Sequence, residues 1–130
     1  DELLEVVYPC RTVVSNRINL ALSTDGPVVK EINPWVNMGT AVSRKAADGS
    51  VIGENQKLTL KQALRAYTVG SSVADNLEHI KGSLSVGKYA DFIVLNKKPQ
   101  YLLLRFSIIY YLKIISFTIG FPNLSLINCI

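Results

Sequence analysis

Two hydrophobic periods alternate along the first hundred residues. Leu60, Ala63, Leu64 and Tyr67 stand at i, i+3, i+4 and i+7, which puts them on one face of a helix. Thr59 and Gln62 frame its start as a capping box, with Thr59 as N-cap and Gln62 three residues on. Gly70-Ser71-Ser72 is expected to break or kink this helix before a second short one through Leu77. The turn signal Asn33-Pro34 predicts a helix over Trp35–Arg44. A shorter helix is expected from near Tyr8 to Ser15 after Pro9, since proline is tolerated in a first helical turn, with Asn16-Arg17 ending it. Ile18–Leu22 reads instead as a short, largely buried strand, stopped by the polar turn Ser23-Thr24-Asp25-Gly26-Pro27. Ala47-Asp48-Gly49-Ser50 is a loop, and Gly82–Leu84 and Ala90–Leu95 read as two short strands around a turn at Val86-Gly87-Lys88. Helix–strand steps ending in polar turns place the chain in the α/β class.

After Gln100 the pattern is lost. From Tyr101 to Ile130 there is no acidic residue, and Arg105 and Lys113 are the only basic ones. Three readings compete for this tail. A membrane helix needs roughly 20 apolar residues, and Tyr101–Phe121 is long enough. Arg105 and Lys113 would then sit inside the span, at about 2.5–3.5 kcal/mol each. Buried strands are the second reading, because Ile, Tyr and Phe favour them. The third, which is favoured, is a misread extension: Ile, Leu, Tyr, Phe, Asn, Ser and Lys are the vocabulary of translated AT-rich noncoding sequence.

Composition narrows the class further. Hydrophobic residues make up 48% and charged ones 18%, which excludes a solvated, disordered chain. The net charge of +4 comes from lysines and arginines scattered among acids, not gathered on one stripe, so nucleic acid is not an expected partner. Cys10 and Cys129 lack the spacing of a disulfide framework or a zinc knuckle. The opening Asp1-Glu2-Leu3-Leu4-Glu5 has no basic or apolar leader region, which leaves the compartment unknown with the cytoplasm slightly favoured, and it reads as a chain cut from something longer.

The segment Leu22–Val29 with Asn33-Pro34-Trp35, the helix Leu60–Thr68, and the closing run Lys81–Leu95 resemble, in this order, the amidohydrolase superfamily, and within it amidohydrolase family 3. Gly87-Lys88-Tyr89-Ala90-Asp91 beside a hydrophobic strand is the most specific piece. The resemblance implies the C-terminal part of a (β/α)8 barrel plus part of a composite β-sandwich. Residues 1–80 would supply the last barrel strand and the C-terminal helices, 81–99 the sandwich strands, and 100–130 a divergent hydrophobic tail. By family pattern a final sandwich strand should follow Pro99, where this tail begins.

Barrel enzymes carry their reacting groups at the C-terminal ends of strands, and Asp25 stands one turn past such a strand. Read from the residues alone, an aspartate before Gly-Pro is ordinary turn chemistry. The resemblance implies that Asp25 is catalytic and also a metal ligand, carrying a proton to the leaving nitrogen. It implies a divalent metal, zinc first among candidates, and a small-molecule substrate hydrolysed at a carbon–nitrogen bond other than a peptide bond. The histidines and carboxylated lysine of the family are missing, and a zinc site needs about three protein ligands. His79 is expected at a solvent-facing helix end and not as a ligand.

Other prominent residues read as structural. Trp35 either packs, the favoured reading, or lines a substrate pocket; Arg44 and Lys45 form a solvated face, Asp91 fixes the turn into a strand, and Gly82 and Gly87 serve φ values that other residues avoid. Gly26 stands where relatives often carry a larger side chain. The chain is thus expected to be an inactive hydrolase fragment that binds no metal by itself, poorly packed, with Leu20, Leu22 and Val28 exposed. The rivals are a non-catalytic remnant or interaction module, and a small membrane-anchored protein, the membrane entering only through 101–121.

Overall fold

The computed structural model describes residues 3, 6–29, 31–95 and 98, together with the backbone of 114–116. Helix α1, Cys10–Ser15, starts after Pro9, whose missing N–H is no loss at a helix's first turn. It stops where Asn16 folds its side chain back onto the Thr12 carbonyl at 2.8 Å and Arg17 turns left-handed at φ 60°.

Helix α2, Pro34–Ser43, follows the expected signals within a residue at each end. Asn33 caps it by accepting from the Trp35 N–H at 2.9 Å, and Pro34 sits in the first turn. Trp35, Met38 and Gly39 stand at i, i+3 and i+4 and are buried, with Val42 packed beside them at i+7. Trp35 therefore packs, as expected. Arg44 ends the helix at φ 59°, and the chain turns back through a hairpin in which Lys45 pairs with Val51.

Arg44 corrects the solvated-face expectation; only Lys45 is exposed. The Arg44 guanidinium is buried and donates to three backbone carbonyls: Ile52 at 2.8 Å, Tyr8 at 3.3 Å and Val7 at 2.5 Å. A fixed fork of donors suits several carbonyls at once. A second polar clasp holds α1 to the 3-10 turn Glu54–Gln56: the buried Gln56 amide oxygen accepts from the Thr12 N–H at 3.0 Å, and its NH2 lies 2.9 Å from the Thr12 hydroxyl.

Helix α3, Leu60–Arg65, carries the capping box as read. The Gln62 N–H donates to the Thr59 hydroxyl at 3.2 Å, and the Thr59 N–H donates to the Gln62 side chain at 2.8 Å. The expected break comes earlier, as a wide π turn over Ala66–Gly70, and α4, Ser71–Ala74, continues from it and stops short of Leu77. The hydroxyl groups of Thr68 and Ser71 donate to the Leu64 and Ala66 carbonyls at 2.9 Å each, which loosens the helical ladder at that point.

Ile18–Leu22 forms no ladder with any described residue. It lies extended across the π turn instead. The Leu22 N–H donates to the Ala66 carbonyl at 3.2 Å, and the Asn19 amide donates to the Gly70 carbonyl at 2.9 Å. Leu20 and Leu22 face the core and are half-buried, while Ile18 and Val28 are exposed at 60% and 83%. The expectations of a largely buried strand and of exposed Leu20 and Leu22 are corrected, while Val28 is exposed as expected: one face has helical partners, and the other has none among the described residues.

Gly82–Leu84 is not a strand, because Gly82 turns the chain at φ 89°. The turn before the second predicted strand does form, with the Lys88 N–H donating to the Ser85 carbonyl at 3.1 Å. Strand β1 is shorter than predicted, Asp91–Ile93, and pairs antiparallel with β2, Ile114–Ser116, bringing Phe92 opposite Ile115. Three residues of the tail are therefore extended. The rest of the proposed span Tyr101–Phe121, like Cys129, lies outside the described residues. Among the described residues no helix is long and apolar enough to cross a membrane.

Candidate functional site

The turn that carries Asp25 is built from the end of the extended segment. From Leu20 on, burial alternates with period two, so Leu20, Leu22 and Thr24 face inward and Ala21, Ser23 and Asp25 outward. Asp25 is exposed and lies in the left-handed region at φ 54°, a conformation that aspartate tolerates better than most residues. Its N–H donates to the Ser23 hydroxyl at 3.0 Å, and its carbonyl accepts from the Val28 N–H at 3.0 Å. From α2, the side-chain amide of Asn37 donates to the Ser23 carbonyl at 2.7 Å. Asn37 and Ser23 were not singled out in the sequence, because the two are 14 residues apart and neither pattern marks their meeting.

Gly26 has its own tertiary context. A Cβ there would come within 2.7 Å of an Ile32 methyl group, so Ile32 occupies the space that a larger side chain would take. Ile32 is 65% exposed and could swing aside, which makes the exclusion mild.

The donor set does not fit a metal site. Among the described residues no three His, Cys, Asp or Glu side chains come together. His79 is exposed, as expected, but lies in a turn past α4 and not at a helix end; among the described residues it joins no such group. A single exposed carboxylate falls short of the three or so protein ligands that zinc requires.

Two clefts open elsewhere, and Asp25 lines neither. One, of about 310 Å³, lies beside the start of the extended segment between Arg17, Asn19, Gln62 and Arg65. The other, of about 200 Å³, is bounded by Tyr67, Ser72, Asp75, Lys81 and Asp91, with Lys81 and Asp75 paired at 2.7 Å. The Tyr67 hydroxyl is buried without a hydrogen-bond partner among the described residues, and burial pushes its pKa up to about 12. Sequence periodicity placed Tyr67 on an apolar face and gave no sign of this stranded hydroxyl.

Residues 1–103 match the amidohydrolase family. An N-substituted formamide deformylase of Arthrobacter pascens is 29% identical over 93 residues, covering 72% of this chain and 17% of that protein. Protein LONG AFTER FAR-RED 3 of Arabidopsis thaliana is 36% identical over 91 residues, covering 68% and 15%. An imidazolonepropionase of Bdellovibrio bacteriovorus is 32% identical over 93 residues, covering 71% and 20%. The chain thus spans a fifth or less of the length of these relatives. No solved structure matches it. A family match over residues 1–103, most of the 130-residue chain, makes this chain a member of the amidohydrolase family, with its TIM-barrel-like α/β fold.

Proposed function

We propose that the chain is the C-terminal portion of a metal-dependent hydrolase of carbon–nitrogen bonds other than peptide bonds, inactive by itself. One observation carries the reading: Asp25 caps the end of an extended segment whose inner face lies on α3 and the π turn and whose outer edge has no ladder partner among the described residues. That is the setting of a last barrel strand with its reacting group at the C-terminal end. Ile18–Leu22 is then that strand and Asp91–Ile93 a strand of the composite sandwich. The printed names of two relatives, a deformylase of N-substituted formamides and an imidazolonepropionase, support small amide-like substrates.

In this reading Asp25 contributes one carboxylate to a zinc site and serves there as the proton-carrying group. The described residues do not complete that site, so no catalytic step is assigned to this chain alone. An interaction module is the rival reading, favoured by the apolar surface at Val28 and Ile32, exposed at 83% and 65%.

Two measurements test the proposal. Calorimetric titration of the 130-residue chain with zinc should show no binding tighter than about millimolar, as one carboxylate predicts. A transcript read across the region before Asp1 should reveal an upstream frame encoding a His-any-His strand. Tight zinc binding, or a transcript that begins near Asp1, would overturn it.

A further inference from the structure

We propose that Asn37 and Ser23 are positioning residues for Asp25, forming a clamp that sets the direction of its carboxylate. The inference rests on the role of Asp25 proposed above, but its geometry stands apart from that role. Asn37 belongs to α2, which is anchored in the core by its neighbours Trp35 and Met38, buried at 2% and 0% exposure. An amide on that rigid helix reaches across to the Ser23 carbonyl at 2.7 Å. Ser23 in turn presents its hydroxyl to the Asp25 N–H at 3.0 Å. The two bonds meet at one residue, one through its backbone and one through its side chain, so the turn is referenced directly to the helix.

The clamp matters because, among the described residues, little else holds the turn. Asp25, Gly26, Pro27 and Val28 are all exposed, and Asp25 occupies a left-handed conformation that costs an ordinary side chain energy. Among the described residues, the other bond within the turn runs from the Val28 N–H to the Asp25 carbonyl at 3.0 Å. Asparagine is a weak helix former, so its place inside α2 is not explained by local propensity. Its half-buried amide gains a carbonyl partner that an alanine could not hold.

The test uses the isotope-labelled 130-residue chain and solution NMR. The readouts are the exchange rate of the Asp25 amide and its HN–Hα coupling, which reports φ. The Trp35 indole signal serves as the control for an intact core. Asn37→Ala and Asn37→Asp, the latter nearly isosteric but without the amide donor, should each raise Asp25 amide exchange about fivefold and shift its coupling, the effect of losing one partly exposed hydrogen bond. Asn37→Gln, which restores a donor, should recover part of the protection. Ser23→Ala should raise exchange similarly and Ser23→Thr should not. If Asn37→Ala loses the Trp35 signal, the exposed Ser23 pair decides the matter alone. Unchanged Asp25 exchange and coupling in Ser23→Ala, or in both Asn37→Ala and Asn37→Asp with the core intact, would overturn the clamp. That result would leave the chemical role of Asp25 to the zinc and transcript measurements, which the clamp does not influence.

Discussion

Gly70→Ala is the substitution on which local propensity and tertiary packing disagree in sign. Gly70 sits at φ −60°, ψ −44°, in the helical region, so alanine fits the backbone without strain. Helix propensity by itself favours alanine by about 1 kcal/mol. A Cβ at this position, however, would lie 2.0 Å from the Leu20 carbonyl oxygen and 3.1 Å from its carbon. That is about 1 Å closer than the 3.0 Å below which something must move, and the obstacle is backbone, which cannot swing aside. Residues 18–22 must therefore lift off the π turn. Lifting breaks the bonds from Leu22 to Ala66 at 3.2 Å and from Asn19 to Gly70 at 2.9 Å, worth about 1 kcal/mol each. It also exposes parts of Leu20 and Leu22, worth roughly 1–2 kcal/mol together. The net loss is roughly 2–3 kcal/mol after the propensity gain. Urea titration followed by fluorescence of Trp35, the sole tryptophan, should give a midpoint lower by about 1 M. Hydrogen exchange at the Leu22 amide is the sharper readout, because it reports the docking itself. A midpoint equal to or above wild type, with Leu22 still protected, would refute the close-approach argument.

Three further outcomes follow from the described contacts. Arg44→Met removes a buried guanidinium from the Ile52, Tyr8 and Val7 carbonyls; a loss of about 2 kcal/mol and earlier proteolytic cleavage near Tyr8 are expected, read by urea titration and limited proteolysis. Thr59→Ala removes the N-cap of α3 and should cost about 1 kcal/mol by urea titration, with Thr59→Ser nearly neutral. Tyr67 ionises at about 12 in the folded chain against about 10 when unfolded, so the unfolded state loses its proton first and stability falls as pH rises from 10 to 12. Tyr67→Phe should weaken that alkaline loss and be neutral or stabilising at pH 7, since it removes a buried hydroxyl that has no partner among the described residues; thermal melts at both pH values check this.

The helices were legible in the sequence because their signals are local. Asn33-Pro34 and the Thr59–Gln62 box bond within two or three residues, so the sequence alone predicts where α2 and α3 begin. The turn at Asp25 was legible for the same reason, and so was the family that residues 1–103 match. Arg44 was misread because its partners Val7 and Tyr8 lie 37 and 36 residues away, and no local pattern distinguishes a buried arginine from a solvated one. Ile18–Leu22 was legible as an extended segment but its pairing was not, because alternation specifies an extended chain while a ladder requires a partner strand, and the described residues supply none. Tertiary structure alone decided that Gly70 must have no side chain, that Ile32 fills the space beside Gly26, and that Asn37 reaches the carbonyl two residues before Asp25. Sequence fixes conformation where the bonding groups are neighbours along the chain; which distant groups meet is settled only when the whole set of packed surfaces and buried donors is satisfied together.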